Sequence, residues 1–182
     1  MNNKYPDIYK NYPIKPYIDN NRDINDWLNN SDKYPYGIVE KKKMELNEDN
    51  LLAGDIILLW RINFDNFTNK TIIPQYFEYR YGIDTSKELK LLEERKLIYI
   101  EDATNSLDLL TIKELNNILT KNNLKVKGNK AKLLEFIKKE VDEISLCKDF
   151  KLRRYRIASQ GKKILDKYPE IIKKHGPKKN AK

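Results

Sequence analysis

Leu115, Ile118 and Leu119 recur at helical spacing behind Thr111, and Leu133, Leu134, Ile137 and Val141 do so again behind Asn129. Residues 107–141 therefore read as two short helices, each with one apolar stripe. Thr111 followed by Glu114 is a capping box, in which hydroxyl and carboxylate each satisfy an orphan backbone donor. Asn122-Asn123 ends the first helix, since Asn tolerates the left-handed conformation that a helix C-terminus often needs. Between the helices Leu124 and Val126 alternate with Lys125 and Lys127, a period of two that predicts an extended link with one buried face. Gly128 is read as a sharp turn and Asn129 as the cap of the second helix. Lys127, Lys130 and Lys132 then gather where that helix begins, beside its partial positive charge.

Other stretches are less regular. Residues 1–46 hold four of the seven prolines (Pro6, Pro13, Pro16, Pro35) and six of the twelve tyrosines, which argues against long helices or central strands. This Pro/Tyr-rich arm is read as a strap packing its tyrosines onto the main domain, with base stacking by those rings as the other reading. In residues 47–107, Leu52, Ile56, Leu59 and Trp60 fit a helix, although the run DIILLWRINF is also β-prone. A second helix follows Pro74, with Phe77 and Tyr81 on one face and Gly82 at its end. A third starts near Asp84 or Thr85 with Leu89 and Leu92 inward, and Leu97–Ile100 reads as a strand. Three helices leading into a strand resemble the chain order of a winged helix-turn-helix. Residues 150–168 complete it, with Arg153–Ala158 as the second wing strand and a closing helix around Ile164-Leu165. Residues 108–145 either sit between the two wing strands or form an independent unit in series. The end of the chain, 169–182, reads as a basic tail that frays in solvent.

The segment 107–141 resembles a SAP domain, the helix–extension–helix module of many DNA-associated proteins of bacterial and phage type among others. That family's pattern is a capped L-x-x-x-L helix followed by (G)L-x-x-x-G-x-K-x-x-L, met here by Leu115, Leu119, Leu124, Gly128, Lys130 and Leu133. Asn123 stands in place of the glycine before the leucine, and Phe136 where the family commonly has arginine, so no DNA contact carries over to that position. The resemblance implies duplex DNA as the partner and the module's basic link as the contact.

Charge sharpens that expectation. Residues 1–107 carry 15 Lys+Arg against 18 Asp+Glu, or −3, while residues 108–182 carry 21 against 9, or +12. A stretch that basic is drawn to polyanions in a salt-dependent way. The single Cys147 excludes an internal disulfide and fits a reducing, cytoplasmic setting. The sequence has neither a bilayer-length apolar run nor the apolar region of a signal peptide.

Catalysis finds little support. One His (His175) and one Cys do not make a Cys/His zinc site or a Cys–His nucleophile, and none of the six glycines forms a phosphate-binding loop. Asp84 with Glu94-Arg95-Lys96 matches the acidic–x–lysine element of metal-dependent nucleases, yet it falls on a surface helix and reads as solvated charge pairs. No cofactor, metal or catalytic residue is expected.

The sequence thus predicts a mainly α protein with a small β-hairpin, a winged-helix-like domain plus a SAP-like module, and non-enzymatic binding to double-stranded DNA phosphates with little sequence specificity. Lys125, Lys127, Gly128, Asn129, Lys130 and Lys132 form the expected contact, widened by Arg153, Arg154 and Arg156. Four to six neutralised phosphates give a salt slope near −4 to −5. RNA binding, and a protein adaptor or self-association through the winged-helix-like unit, are the alternatives.

Overall fold

In the computed structural model, which describes residues 6–33 and 37–176, the β-prone run is helical: α2 spans Ala53–Ile62. Ile56, Ile57, Leu58, Leu59 and Ile62 are all fully buried, so this helix is enclosed on every side. Burial of that many aliphatic side chains, at roughly 1.5–3 kcal/mol each, overrides the weak β preference of isoleucine. Pro35 and the tyrosines at 5, 34 and 36, expected in the arm, and residues 177–182 of the expected tail lie outside the described residues.

The chain divides into two units, one of Met1–Asn63, Ile72–Ile98 and Ile157–Lys182, the other of Phe64–Thr71 and Tyr99–Arg156. Among the described residues the protein is mainly helical with one two-stranded antiparallel sheet, β1 (Ile98–Ile100) against β2 (Tyr155–Ile157). The paired strands lie far apart in the chain, and the division falls within each of them. Residues 64–71, read from the sequence as part of the helical unit, belong to the second unit. There Tyr155 N–H donates to Phe67 O at 2.9 Å and Asn69 N–H to Arg153 O at 2.9 Å.

In the first unit α2 packs against α4 (Thr85–Glu94), α9 (Ser159–Lys167) and α10 (Pro169–His175). Asp84 caps α4 by accepting from the Ser86 and Lys87 amides, and Leu92 faces inward, with Leu89 half-buried. The helix expected after Pro74 is only the single turn α3, Tyr76–Tyr79. Gly82 just beyond it has φ +65, and a Cβ there would meet Pro16 and Met44, so its role as a stop is a matter of both conformation and space. At Gly161 a Cβ would lie 2.3 Å from Leu97 O, so only glycine lets α9 start this close to that strand end.

The N-terminal arm is built into this unit. Tyr9 is buried, its ring stacks on Trp27 of α1 (Ile24–Asn29), and its hydroxyl accepts from Val39 N–H at 3.1 Å. Tyr12 donates to Val39 O at 2.7 Å. Arg22 pairs with Glu78 while its guanidinium lies over Tyr79 and Trp27. One finding corrects the sequence reading at the other end. Residues 169–175 do not fray; they form α10, because Pro169 opens a helix whose His175 is received by three aromatic rings.

A buried acid in α2 has no counterpart in the sequence reading. Asp55 accepts from Leu52 N–H at 2.8 Å, and burial, followed by the nearby Glu88 carboxylate, pushes its carboxyl up to about 8. No helix among the described residues is long and apolar enough to cross a membrane.

Candidate nucleic-acid interface

The second unit is built on one core, Ala103, Leu107, Leu110, Leu115, Ile118, Leu119, Leu133, Ile137, Val141 and Leu146. Leu110 and Val141 cap the elements they follow, and the rest come from α5 (Ala103–Ser106), the short 3-10 turn Leu107–Leu109, α6 (Ile112–Lys121), α7 (Lys130–Glu140) and α8 (Glu143–Asp149). The capping box is formed: Thr111 N–H donates to Glu114 Oε2 at 2.7 Å and Glu114 N–H to Thr111 Oγ1 at 3.3 Å. The Thr111 hydroxyl and amide, and more weakly Lys130, hold the Glu114 carboxyl below its ordinary range.

Helix α6 ends in a Schellman motif. Leu124 N–H donates to Leu119 O at 2.8 Å, Asn123 N–H to Thr120 O at 3.1 Å, and Asn123 itself has φ +57. The turn releases an extended link in which Leu124 and Val126 pack on the core while Lys125 and Lys127 are exposed, the alternation read from the sequence. Asn129 caps α7, its Oδ1 accepting from Lys132 N–H at 3.0 Å. By helix geometry the amides of Lys130 and Ala131 have no partner inside α7. Lys125, Lys127, Gly128, Asn129 and Lys132 are thus exposed together along the link and the first turn of α7.

Two expectations in this stretch need correction. Gly128 is not among the residues of positive φ, so its glycine is not demanded by the turn; a Cβ there would meet the flexible stem of Lys132. Lys130 does not project freely. Its ammonium donates to Asp108 O at 2.6 Å, which ties the start of α7 to the turn before α6.

The arginines differ more. Arg154 is buried, pairing with Asp108 Oδ2 at 2.6 Å and facing Glu101 Oε2 at 3.7 Å. Arg156 donates to Glu101 Oε1 at 2.6 Å and pairs with Asp65 at 2.5 Å, and those carboxylates push its pKa up. Arg153 caps local structure, donating to the carbonyls of Phe150 and Leu152 and stacking over the Phe150 ring. Arg154 and Arg156 do not widen a basic surface, because their charges are paired with Glu101, Asp108 and Asp65; half-buried Arg153 has no acid as partner among the described residues. The signal was present in the sequence, since an antiparallel pairing of 97–100 with 153–158 puts Glu101 next to Arg154. Their backbones meet through Glu101 N–H to Arg154 O at 2.9 Å.

Charge by unit also departs from charge by sequence half. Residues 64–71 and 99–156 hold 14 Lys+Arg against 10 Asp+Glu, or +4, and the rest of the chain 22 against 17, or +5. The unit's net charge thus equals the charge of Lys125, Lys127, Lys130 and Lys132 alone. A groove of about 350 Å³ on the same unit is lined by Leu110, Ile118 and Phe150 with Glu114, Asp149 and Lys121, so it carries no excess of positive charge.

A further carboxylate, missed in the sequence, fastens the unit. Glu143 of α8 accepts from Ala103 N–H at 2.6 Å, Thr104 N–H at 2.9 Å and Thr104 Oγ1 at 2.7 Å. Burial pushes its carboxyl up, but those donors and the Cys147 thiol outweigh burial and hold it down at about 2. Of the nuclease-like set, Asp84 caps α4 and Arg95 donates to the carbonyls of Asp49 and Asn50.

No protein-family model matches the sequence, and neither a curated protein nor a solved structure matches it.

Proposed function

We propose that the second unit is a SAP-like module that grips double-stranded DNA through its phosphates, in a cytoplasmic protein without enzymatic activity. The observation that carries this reading is the row of exposed cations, Lys125, Lys127 and Lys132, set along one extended link and the first turn of an eleven-residue helix. The amides of Lys130 and Ala131, which have no partner inside α7, and the helix dipole reinforce attraction for an anion there. Lys130 holds the ledge in place through Asp108 instead of contacting phosphate. Contacts of this type fix position and carry little sequence information.

With about three lysines engaged, log K falls with log salt at a slope of about −3, shallower than the sequence alone suggests. Fluorescence anisotropy against a labelled duplex at several ionic strengths measures it. A salt-independent affinity rejects the mechanism. Competition with single-stranded DNA and RNA tests the alternative partner. Of the arm's tyrosines, Tyr9 is buried and stacked within the first unit and offers no platform for a base. A protein that ignores duplex DNA altogether would favour the adaptor reading.

A further inference from the structure

The sequence contains one histidine, and it lies in an aromatic cage. His175, the last residue of α10, has Trp60 at 5.4 Å, Tyr76 at 4.9 Å and Tyr81 at 5.6 Å between ring centroids. Its Nδ1 shares a 2.7 Å hydrogen bond with the Tyr81 hydroxyl. Burial, only partly offset by Arg80, pushes that phenol up to about 12, so it stays protonated and can donate to a neutral ring. Arg80 fastens the same helix end, donating to Lys174 O at 3.0 Å and to His175 O at 3.4 Å.

We propose that α10 is a latch, held on the aromatic face of the first unit by the neutral imidazole of His175 and released when that ring takes a proton. A cage of three rings would favour a cation if nothing else faced it. Here the charged groups around it are Arg61 from α2, Arg80 after α3 and Lys43 from the 3-10 turn Lys41–Met44, all positive. The nearby acid, Glu40, is engaged by Lys43 at 2.7 Å. On α10 itself Lys173 and Lys174 are exposed. Burial first, and then Arg80, Arg61 and Lys43, hold the imidazole down at about 4. A proton on His175 would therefore sit half-buried beside three cations, and the cheaper course is for the seven-residue helix to leave. Detached, so short a helix does not persist in water.

Because His175 is the sole histidine, its imidazole gives one unambiguous NMR signal. The latch requires that signal to titrate near pH 4 instead of the ordinary 6.5. A midpoint near the ordinary value overturns it. The second arm avoids acid: amide hydrogen exchange at pH 7 on His175→Lys and His175→Phe. A permanent charge at 175 should lower the protection of α10 at least about tenfold while α2 keeps its own. The phenyl variant, which fills the cage without ionising, should keep α10 protected. Equal α10 protection in the lysine variant and the unaltered chain would overturn the latch even if the imidazole titrates low.

Discussion

Lys125–Lys132 and Arg153–Arg156 are two basic clusters of the same unit, similarly conspicuous in the sequence and opposite in fate. Lys125 and Lys127 sit on a link whose alternate residues, Leu124 and Val126, face the core, so these two are exposed, as is Lys132 in the first turn of α7, while Lys130 is tied to Asp108 O. The arginines sit in and just before β2, flanked by Glu101, Asp108 and Asp65, and two of the three are ion-paired. Local alternation places a side chain inside or outside; long-range pairing decides whether its charge is free. A count of basic residues sees neither distinction.

The comparison breaks most easily at Arg154. Replacing it with methionine keeps the volume but leaves Asp108 and Glu101 without that partner. Removing one member of a buried pair typically costs 3–5 kcal/mol, and because Asp108 is half-exposed and Glu101 retains Arg156 the loss should be smaller, about 2 kcal/mol in a denaturant titration. Duplex affinity, measured where the variant is folded, should be unchanged. A loss below about 1 kcal/mol would mean that the ion cluster is dispensable to the fold.

The lysines should behave in the opposite way. The combined change Lys125→Glu, Lys127→Glu and Lys132→Glu should weaken duplex binding about 100-fold near physiological salt and flatten the salt slope. Stability should move by no more than about 0.5 kcal/mol, because these side chains are exposed. Lys130 is left out deliberately, since its bond to Asp108 O would confound binding with folding. Anisotropy and denaturation on the same samples separate the two effects.

Much of this unit was legible in the sequence because its signals are local. The capping box at Thr111 and Glu114, the left-handed Asn123, the alternation through Val126 and the cap at Asn129 each involve residues a few positions apart. The internal role of Arg154 and Arg156 was not, because their acids lie 46 to 91 positions away. The position of residues 64–71 was hidden for the same reason: Asn69 finds its partners at Lys151 and Arg153. In the first unit the failure was of another kind. Residues 169–175 lack an apolar stripe, and a helix anchored through a caged histidine leaves no periodicity to read.

Glu143 offers a third fate for charge, a carboxylate answered by backbone amides instead of by a cation. Its folded-state pKa, about 2, lies below the ordinary 4.5, so its stabilisation is present above the ordinary value and is lost as pH falls from there towards 2. Glu143→Gln should cost about 1–2 kcal/mol at pH 7, since hydrogen bonds to a charged acceptor are replaced by neutral ones. It should also make the loss of stability between pH 4.5 and 2 shallower than in the unaltered chain. Parallel pH curves for the two proteins would show that another carboxylate governs acid sensitivity.

The smallest effect tests what aims the lysines. Asn123 at φ +57 is the one residue of the link in the left-handed region, and the two Schellman hydrogen bonds depend on it. An alanine there keeps the backbone donors but pays the steric penalty of that conformation, about 1 kcal/mol. Glycine removes the penalty and should leave stability equal to or slightly above that of asparagine. If the turn sets the direction of Lys125 and Lys127, Asn123→Ala should also loosen duplex binding a few-fold, with Asn123→Gly restoring it. Equal affinities for the two variants, alongside the expected difference in stability, would separate the turn from the grip and leave the alternation at Leu124 and Val126 as the element that orients the cations.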